Sequence, residues 1–191
     1  MHPTRVSCNL RFFMRIAVAS DELYPVNTHV CSLLQGLGHE VVRFGALVDG
    51  QEAPWAEVAE QAAACVARGE CDEGILFCWT GTGICMAANK LAGIRAALCA
   101  EPAVVRAARI WNHANVLCLS NRSLSNDVAK EMIHAWLETS PTEQGADGVR
   151  RLREVEARHR GAQGSGRAAG DRSERDGAVC ANALASASEL Q

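Results

Sequence analysis

No stretch of this 191-residue chain approaches the roughly 18 consecutive apolar residues of a membrane-spanning helix, which excludes that class. A formal net charge of -3 leaves no basic footprint for nucleic acid and no attraction to an anionic membrane. The nine cysteines contain no C-x-x-C pair and their number is odd, which suits reduced, buried thiols in a cytoplasmic protein better than a disulfide framework. The six histidines show no His-x-x-x-His spacing and none clusters with cysteines, so no metal site is expected. No internal repeat is present. The segment 1–13 carries Arg5 and Arg11 but lacks the long apolar core of a signal peptide, and it reads as an extension ahead of the first strand.

With 48% hydrophobic and 21% charged residues, the chain has the composition of a soluble globular domain, long enough for one well-buried core. Strand-like runs at 16–19, 41–44, 74–78, 96–99 and 116–119 alternate with helical stretches near 26–37, 55–67, 84–91, 103–111 and 126–137. Five short apolar strands, each followed by a helix, predict an α/β fold: a five-stranded parallel sheet in a three-layer αβα, Rossmann-like domain. Val26, Val30, Leu33 and Leu37 share one face of the first helix, and Val128, Met132, Ala135 and Trp136 one face of the fifth, as core stripes. A last helix is expected over about 149–158. The Gly-, Ala- and Ser-rich remainder predicts a disordered tail over 160–191, leaving 14–159 as the single domain. Ligands of such sheets sit at the carboxyl ends of the strands, and Asp21, Cys78 and Asn112 are expected at that edge.

The most informative segment runs from Gly74 to Lys90. A buried-strand pattern ends at Cys78 and passes through Trp79, Thr80, Gly81, Thr82 and Gly83 into an alanine-rich helix. Glycines there permit unusual backbone angles, and the first N–H groups of a helix lack internal partners, so the turn favours an anion. A thiol in that field is a usable base or nucleophile near neutral pH. A cysteine simply packed behind a βα turn is the alternative. Three rival motifs fail on spacing: a dinucleotide fingerprint needs a glycine where Met86 stands, a P-loop needs Gly-Lys-Ser/Thr, and a cysteine-phosphatase loop needs arginine where Ile84 stands.

The segment closely resembles type B ribose-5-phosphate isomerases and galactose-6-phosphate isomerase subunits, a likeness running from about Met14 to about Glu156. It includes the opening Met14–Asp21, the block Cys78–Arg95, the pair Glu101-Pro102, and Asn112 with Asn115-Val116-Leu117. The resemblance implies an aldose–ketose isomerase acting on a sugar phosphate through a cis-enediolate, with no cofactor. Cys78 matches the base, Thr80 is placed to relay a proton, and the backbone of Trp79, Gly81, Thr82 and Gly83 matches an anion hole. Asp21 matches an acceptor of sugar hydroxyls and Asn112 a contact near the enediolate, although a turn or cap role serves either residue. Arg122, Arg150, Arg151 and Arg153 match phosphate-holding positions, with a solvated helix face as the alternative for the last three. The resemblance also implies a homodimer, alone or as a dimer of dimers, whose site lies at the subunit interface.

The departures are informative. The family carries histidine after the strand-end aspartate, where this chain has Glu22, and a ring-opening histidine before the asparagine, where it has Trp111. Trp79 replaces a glycine, and Trp55 lies near a family tyrosine. Indole walls narrow a pocket, and without the ring-opening histidine a short, open-chain sugar phosphate is the expected preference over ribose 5-phosphate. His113 is one residue out of place to substitute. The competing expectations are a binder of sugar phosphate without turnover and, more remotely, a thiol-redox protein using Cys78 and Cys85.

Overall fold

The computed structural model describes residues 13–164, with side chains through residue 159. All of the 1–13 extension but Phe13, and most of the expected 160–191 tail, therefore lie outside the described residues. The strands are β1 (Arg15–Ser20), β2 (Glu40–Gly45), β3 (Glu73–Cys78), β4 (Ala96–Leu98) and β5 (Val116–Ser120). The helices are α1 (Pro25–Gly36), α2 (Ala46–Asp49), α3 (Trp55–Ala67), α4 (Thr82–Ala88), α5 (Pro102–Asn112), α6 (Asn126–Glu138) and α7 (Glu143–Gly164). All four ladders are parallel and the strand order is β2-β1-β3-β5-β4. The chain divides into compact units after Glu156. Among the described residues no helix is long and apolar enough to cross a membrane.

Strand alternation sorts the core into two layers. Ile16, Val18, Ile75, Phe77, Leu117 and Leu119 face α1, α5 and α6, while Ala17, Ala19, Leu76, Cys78, Val116 and Cys118 face α3 and α4. The small β1 side chains on the second face leave room for the alanine-rich α3, whose Ala59, Ala62 and Ala63 are fully buried. Beneath the sheet, Glu73 at the start of β3 pairs with Arg109 of α5 at 2.5 Å and accepts from the Trp136 indole of α6. The Arg109 guanidinium stacks over Trp136 at 4.4 Å. Three elements are thus tied at the amino edge of the sheet.

Several expectations shift. The buried face of α1 is Val26, Asn27, Val30, Cys31 and Leu34, so Leu33 and Leu37 flank it instead of lying in it. In α6 the stripe is Ala129, Met132, Ile133, Ala135 and Trp136, and Val128 is exposed. Helix α2 went unread because four residues carry no periodicity. The last helix begins at Glu143, six residues before the expected start, because Gly145 lets its first turn settle against the Ile110 and Trp111 carbonyls.

Candidate active site

The strand order turns back on itself between β1 and β3, where β1 is paired on one side with β2 and on the other with β3. Crevices outside such switch points are the usual ligand sites of open α/β sheets. Ser20 is in register with Phe77, so Asp21 and Cys78 leave neighbouring strands side by side, about 5 Å apart along the sheet. Cys78 is in register with Ser120 on its other flank. Three strand ends therefore converge on one crevice.

Cys78 is a free thiol only 5% exposed, on the α3/α4 face. Its carbonyl accepts from Gly81 N–H at 3.3 Å and from Asn121 N–H at 2.9 Å. Gly81 has φ +77°, and a Cβ there would stand 2.6 Å from Leu98 and 3.0 Å from the Leu119 backbone, so the turn requires glycine. The Gly81 N–H closes the turn onto the Cys78 carbonyl and is therefore not free to donate to a ligand. Thr82 and Gly83 open α4 with N–H groups that have no partner within the helix. Thr80 and Thr82 hydroxyls lie 2.6 Å apart at the exposed rim. The Trp55 ring, at the start of α3, covers this turn: a Cβ on Gly83 would stand 3.1 Å from it.

Across the crevice, Asp21 is 8% exposed and accepts from Glu22 N–H at 3.0 Å. Burial, reinforced by the nearby Glu22 and Glu52 carboxylates, pushes its carboxyl above the usual aspartate range. It does not cap α1; Tyr24 holds that position in a capping box with Asn27. The Tyr24 hydroxyl donates to Glu22 at 2.8 Å, and its ring lies 6.0 Å from that of Trp79. Arg122 stacks over the other part of the wall, 5.7 Å from the Trp79 ring. Glu22, Tyr24, Trp79 and Arg122 form a continuous rim over three strand ends.

Asn112 is not at this edge, contrary to expectation. A crossover helix runs antiparallel to its strands, so the end of α5 delivers Trp111 and Asn112 to the amino edge, just before β5 begins. Along β3 (Glu73–Cys78) that edge is about 16 Å from Cys78. His113 caps α5 in the left-handed region, φ +47°, and its Nε2 lies 2.8 Å from the Thr142 carbonyl, so it secures α7 and does not face Cys78. The arginines of α7 lie along the same amino edge. Arg153 is within electrostatic reach of Arg95, and Glu156 accepts from Gly93 N–H just before β4. Arg150 bridges Asp147 and Glu154, and Arg151 pairs with Asp147. Arg122 alone of the four expected phosphate arginines stands at the carboxyl edge.

The fold raises the acidity of the Cys85 thiol. Its interaction with Cys118, with smaller help from the Leu98 backbone and Asn89, lowers it to about 7 against the cost of burial. Its Sγ points toward the Ala96 carbonyl at 3.4 Å, between α4 and β4.

Residues 16–155 match the family model described as Ribose/Galactose Isomerase, about three quarters of the chain. The chain belongs to the ribose/galactose isomerase family. It is 39% identical over 124 residues to ribose-5-phosphate isomerase B of Escherichia coli strain K12, covering 64% of this chain and 83% of that one. It is 34% identical over 126 residues to D-erythrulose-4-phosphate isomerase of Pectobacterium atrosepticum, covering 65% and 83%. Its fold matches the solved ribose-5-phosphate isomerase B of Clostridium thermocellum with a TM-score of 0.72 at 34% identity, covering 76% of this chain and 99% of that one. As in that isomerase, the fold is the three-layer parallel-sheet architecture read from the sequence. What the sequence did not reveal in the site is its support: Ser20, Tyr24, Asn27, Ser120 and Asn121. An asparagine on the apolar stripe of α1 was the signal available.

Proposed function

We propose that this isomerase interconverts a phosphorylated aldose and ketose through a cis-enediolate, with Cys78 as the base. The observation that carries the proposal is the convergence of the buried thiol, the glycine turn and the Asp21 carboxylate at the β1/β3 switch point. Asp21 accepts hydroxyls of the open-chain sugar. The Cys78 thiolate removes the proton alpha to the carbonyl, the carbonyl oxygen becomes the enediolate oxyanion, and the Thr82 and Gly83 N–H groups of the turn donate to it. Thr80 and Thr82, linked hydroxyl to hydroxyl, move the proton between sugar oxygens. The protonated Cys78 then returns its proton to the neighbouring carbon, so that no net oxidation occurs and no cofactor is called on.

The site takes its remaining groups from a second copy of the chain. Trp111, Asn112, Arg150, Arg151 and Arg153 lie at the edge opposite Cys78, and no rearrangement short of unfolding brings them across the sheet. The same elements expose apolar side chains, Trp111 at 52% and Leu152 and Val155 on α7, which supports a homodimer or dimer of dimers built on this face. The free state of every described cysteine supports a reducing, cytoplasmic setting.

A short substrate fits best. Glu22, oriented by Tyr24, sets negative charge beside the β1 end and disfavours phosphate there, while Trp55 and Trp79 narrow the crevice. The similarity to an erythrulose-4-phosphate isomerase agrees with a four-carbon sugar, which cannot close a ring through its phosphorylated oxygen and needs no ring opening. The test compares kcat/KM for erythrulose 4-phosphate and ribose 5-phosphate in wild type and Cys78→Ala. The tetrose phosphate is expected to win, and Cys78→Ala to lose about 100-fold or more with either. Ribose 5-phosphate winning at about 10⁴ M⁻¹s⁻¹ or better rejects the short-chain preference. Sugar-phosphate binding without exchange of substrate carbon-bound protons into solvent would instead support a non-catalytic binder.

A further inference from the structure

Behind the crevice, on the α1 side of the sheet, lies a closed ring of hydrogen bonds. Asn27 Nδ2 donates to Asn121 Oδ1 at 2.8 Å, and Asn121 Nδ2 donates to Ser20 Oγ at 3.1 Å. Ser20 Oγ in turn donates to the Glu22 carbonyl at 2.5 Å. The Glu22 side chain accepts from the Tyr24 hydroxyl, and Tyr24 N–H donates back to Asn27 Oδ1 at 2.7 Å. Ser20 and Asn27 are fully buried and Asn121 nearly so. Every bond has a fixed direction, because each amide oxygen accepts and each amide nitrogen donates, so neither asparagine can flip without losing partners.

What the ring encloses matters. Asp21 is the residue between Ser20 and Glu22, and Asn121 is the residue whose N–H grips the Cys78 carbonyl. Ser120, beside it, donates to the Trp79 carbonyl at 2.9 Å. The β5 end therefore holds the base-bearing strand through its backbone and the aspartate-bearing loop through one side-chain amide. The geometry points to Asn27 and Asn121 as positioning residues of the isomerase site: the buried amide pair fixes the separation between the Asp21 carboxylate and the Cys78 thiol. Neither residue touches the crevice, and both act through what they hold. The idea rests on the isomerase reading above.

Burial of two amides in an apolar layer is disfavoured unless both are satisfied. Removing one strands the other, so Asn121→Ala is expected to lower Tm by several degrees for structural reasons alone. The discriminating variant is the pair Asn27→Leu with Asn121→Ala, which removes the two facing amides together and is expected to melt above Asn121→Ala alone, short of wild type by the loss of the Tyr24 N–H partner. With its loop unpinned, kcat for erythrulose 4-phosphate or ribose 5-phosphate is expected to fall about tenfold or more while KM changes little, since misplacement of reacting groups by about 1 Å costs up to about 100-fold. Amide hydrogen exchange is expected to quicken about tenfold or more in segments 20–27 and 118–125 but not in α3 or β3.

Wild-type kcat in the paired variant overturns the positioning role, whatever its exchange rates. Unchanged exchange in both segments overturns the pinning itself, and that readout requires no turnover. If wild type isomerises no sugar phosphate, the isomerase reading fails separately, and positioning for that reaction fails with it. Should the paired variant fold poorly, Ser20→Ala removes the single hydroxyl joining Asn121 to the Glu22 carbonyl and gives the same split between kcat and KM. A Ser20→Ala enzyme with wild-type kcat overturns the proposal equally.

Discussion

A mixture of two inactive variants should regain activity, because one protomer's sheet holds the two halves of the proposed site at opposite edges. Cys78→Ala removes the proposed base from the carboxyl edge, and Asn112→Ala removes the proposed enediolate contact from the amino edge. Each homodimer then carries two defective sites. In a mixed dimer one site receives both substitutions, and the other receives intact Cys78 from one chain and intact Asn112 from its partner. Random exchange of equal amounts gives about half mixed dimers, each with one working site of two, hence about one quarter of wild-type activity. The assay is isomerase rate after co-expression, or after the two purified variants are unfolded and refolded together, with each variant treated alone as the control. Mixing that yields no more than the average of the two variants would refute the shared site. It would require Asn112 to be dispensable or the reacting groups to come from one chain, which the roughly 16 Å of intervening β3 does not permit.

Three further outcomes follow from named groups. Glu73→Gln leaves the buried Arg109 guanidinium without its counter-charge, although it retains the Thr139 and Ala114 carbonyls. The expected cost is roughly 3–5 kcal/mol, a fall in Tm on the order of 10 °C, read by thermal melting; a shift under about 2 °C would mean that solvent reaches the pair. Because the Asp21 carboxyl is raised in the folded protein, its protonation favours folding at acid pH and that contribution is lost as pH rises through the folded value. Asp21→Asn should therefore raise Tm at pH 7 but not below its ordinary value of 3.8, while weakening substrate binding; equal Tm differences at both pH values would disprove the burial cost. Cys85, at about 7, should be the thiol alkylated with half-maximal rate near neutrality, yet Cys85→Ala should keep most activity because its Sγ faces the Ala96 carbonyl. An inactive Cys85→Ala beside an active Cys78→Ala would exchange their roles.

The fold was legible because it is written in two simple periods. Apolar runs such as Gly74–Cys78 have the length and β-forming content of strands buried on both faces, and Trp55–Ala67 has a helical stripe whose boundaries the structure reproduces. The local geometry around Cys78 was legible for the same reason, since a strand, a glycine turn and a helix start are contiguous in sequence. What was not legible depends on direction and on distance along the chain. Asn112 follows a helix as Cys78 follows a strand, and motif order alone does not say that the two chain directions are opposed; only the parallel ladder does, and it sends Asn112 to the far edge. The Asn27–Asn121 pair joins residues 94 positions apart, and neither segment names the other. An asparagine interrupting the Val26–Val30 stripe costs stability unless something distant satisfies it, so a polar residue at a core position is itself a sign that a partner exists elsewhere. Here the partner proves to be the residue that also grips the base-bearing strand, which is why the misfit in the α1 pattern points to the active site rather than to the core.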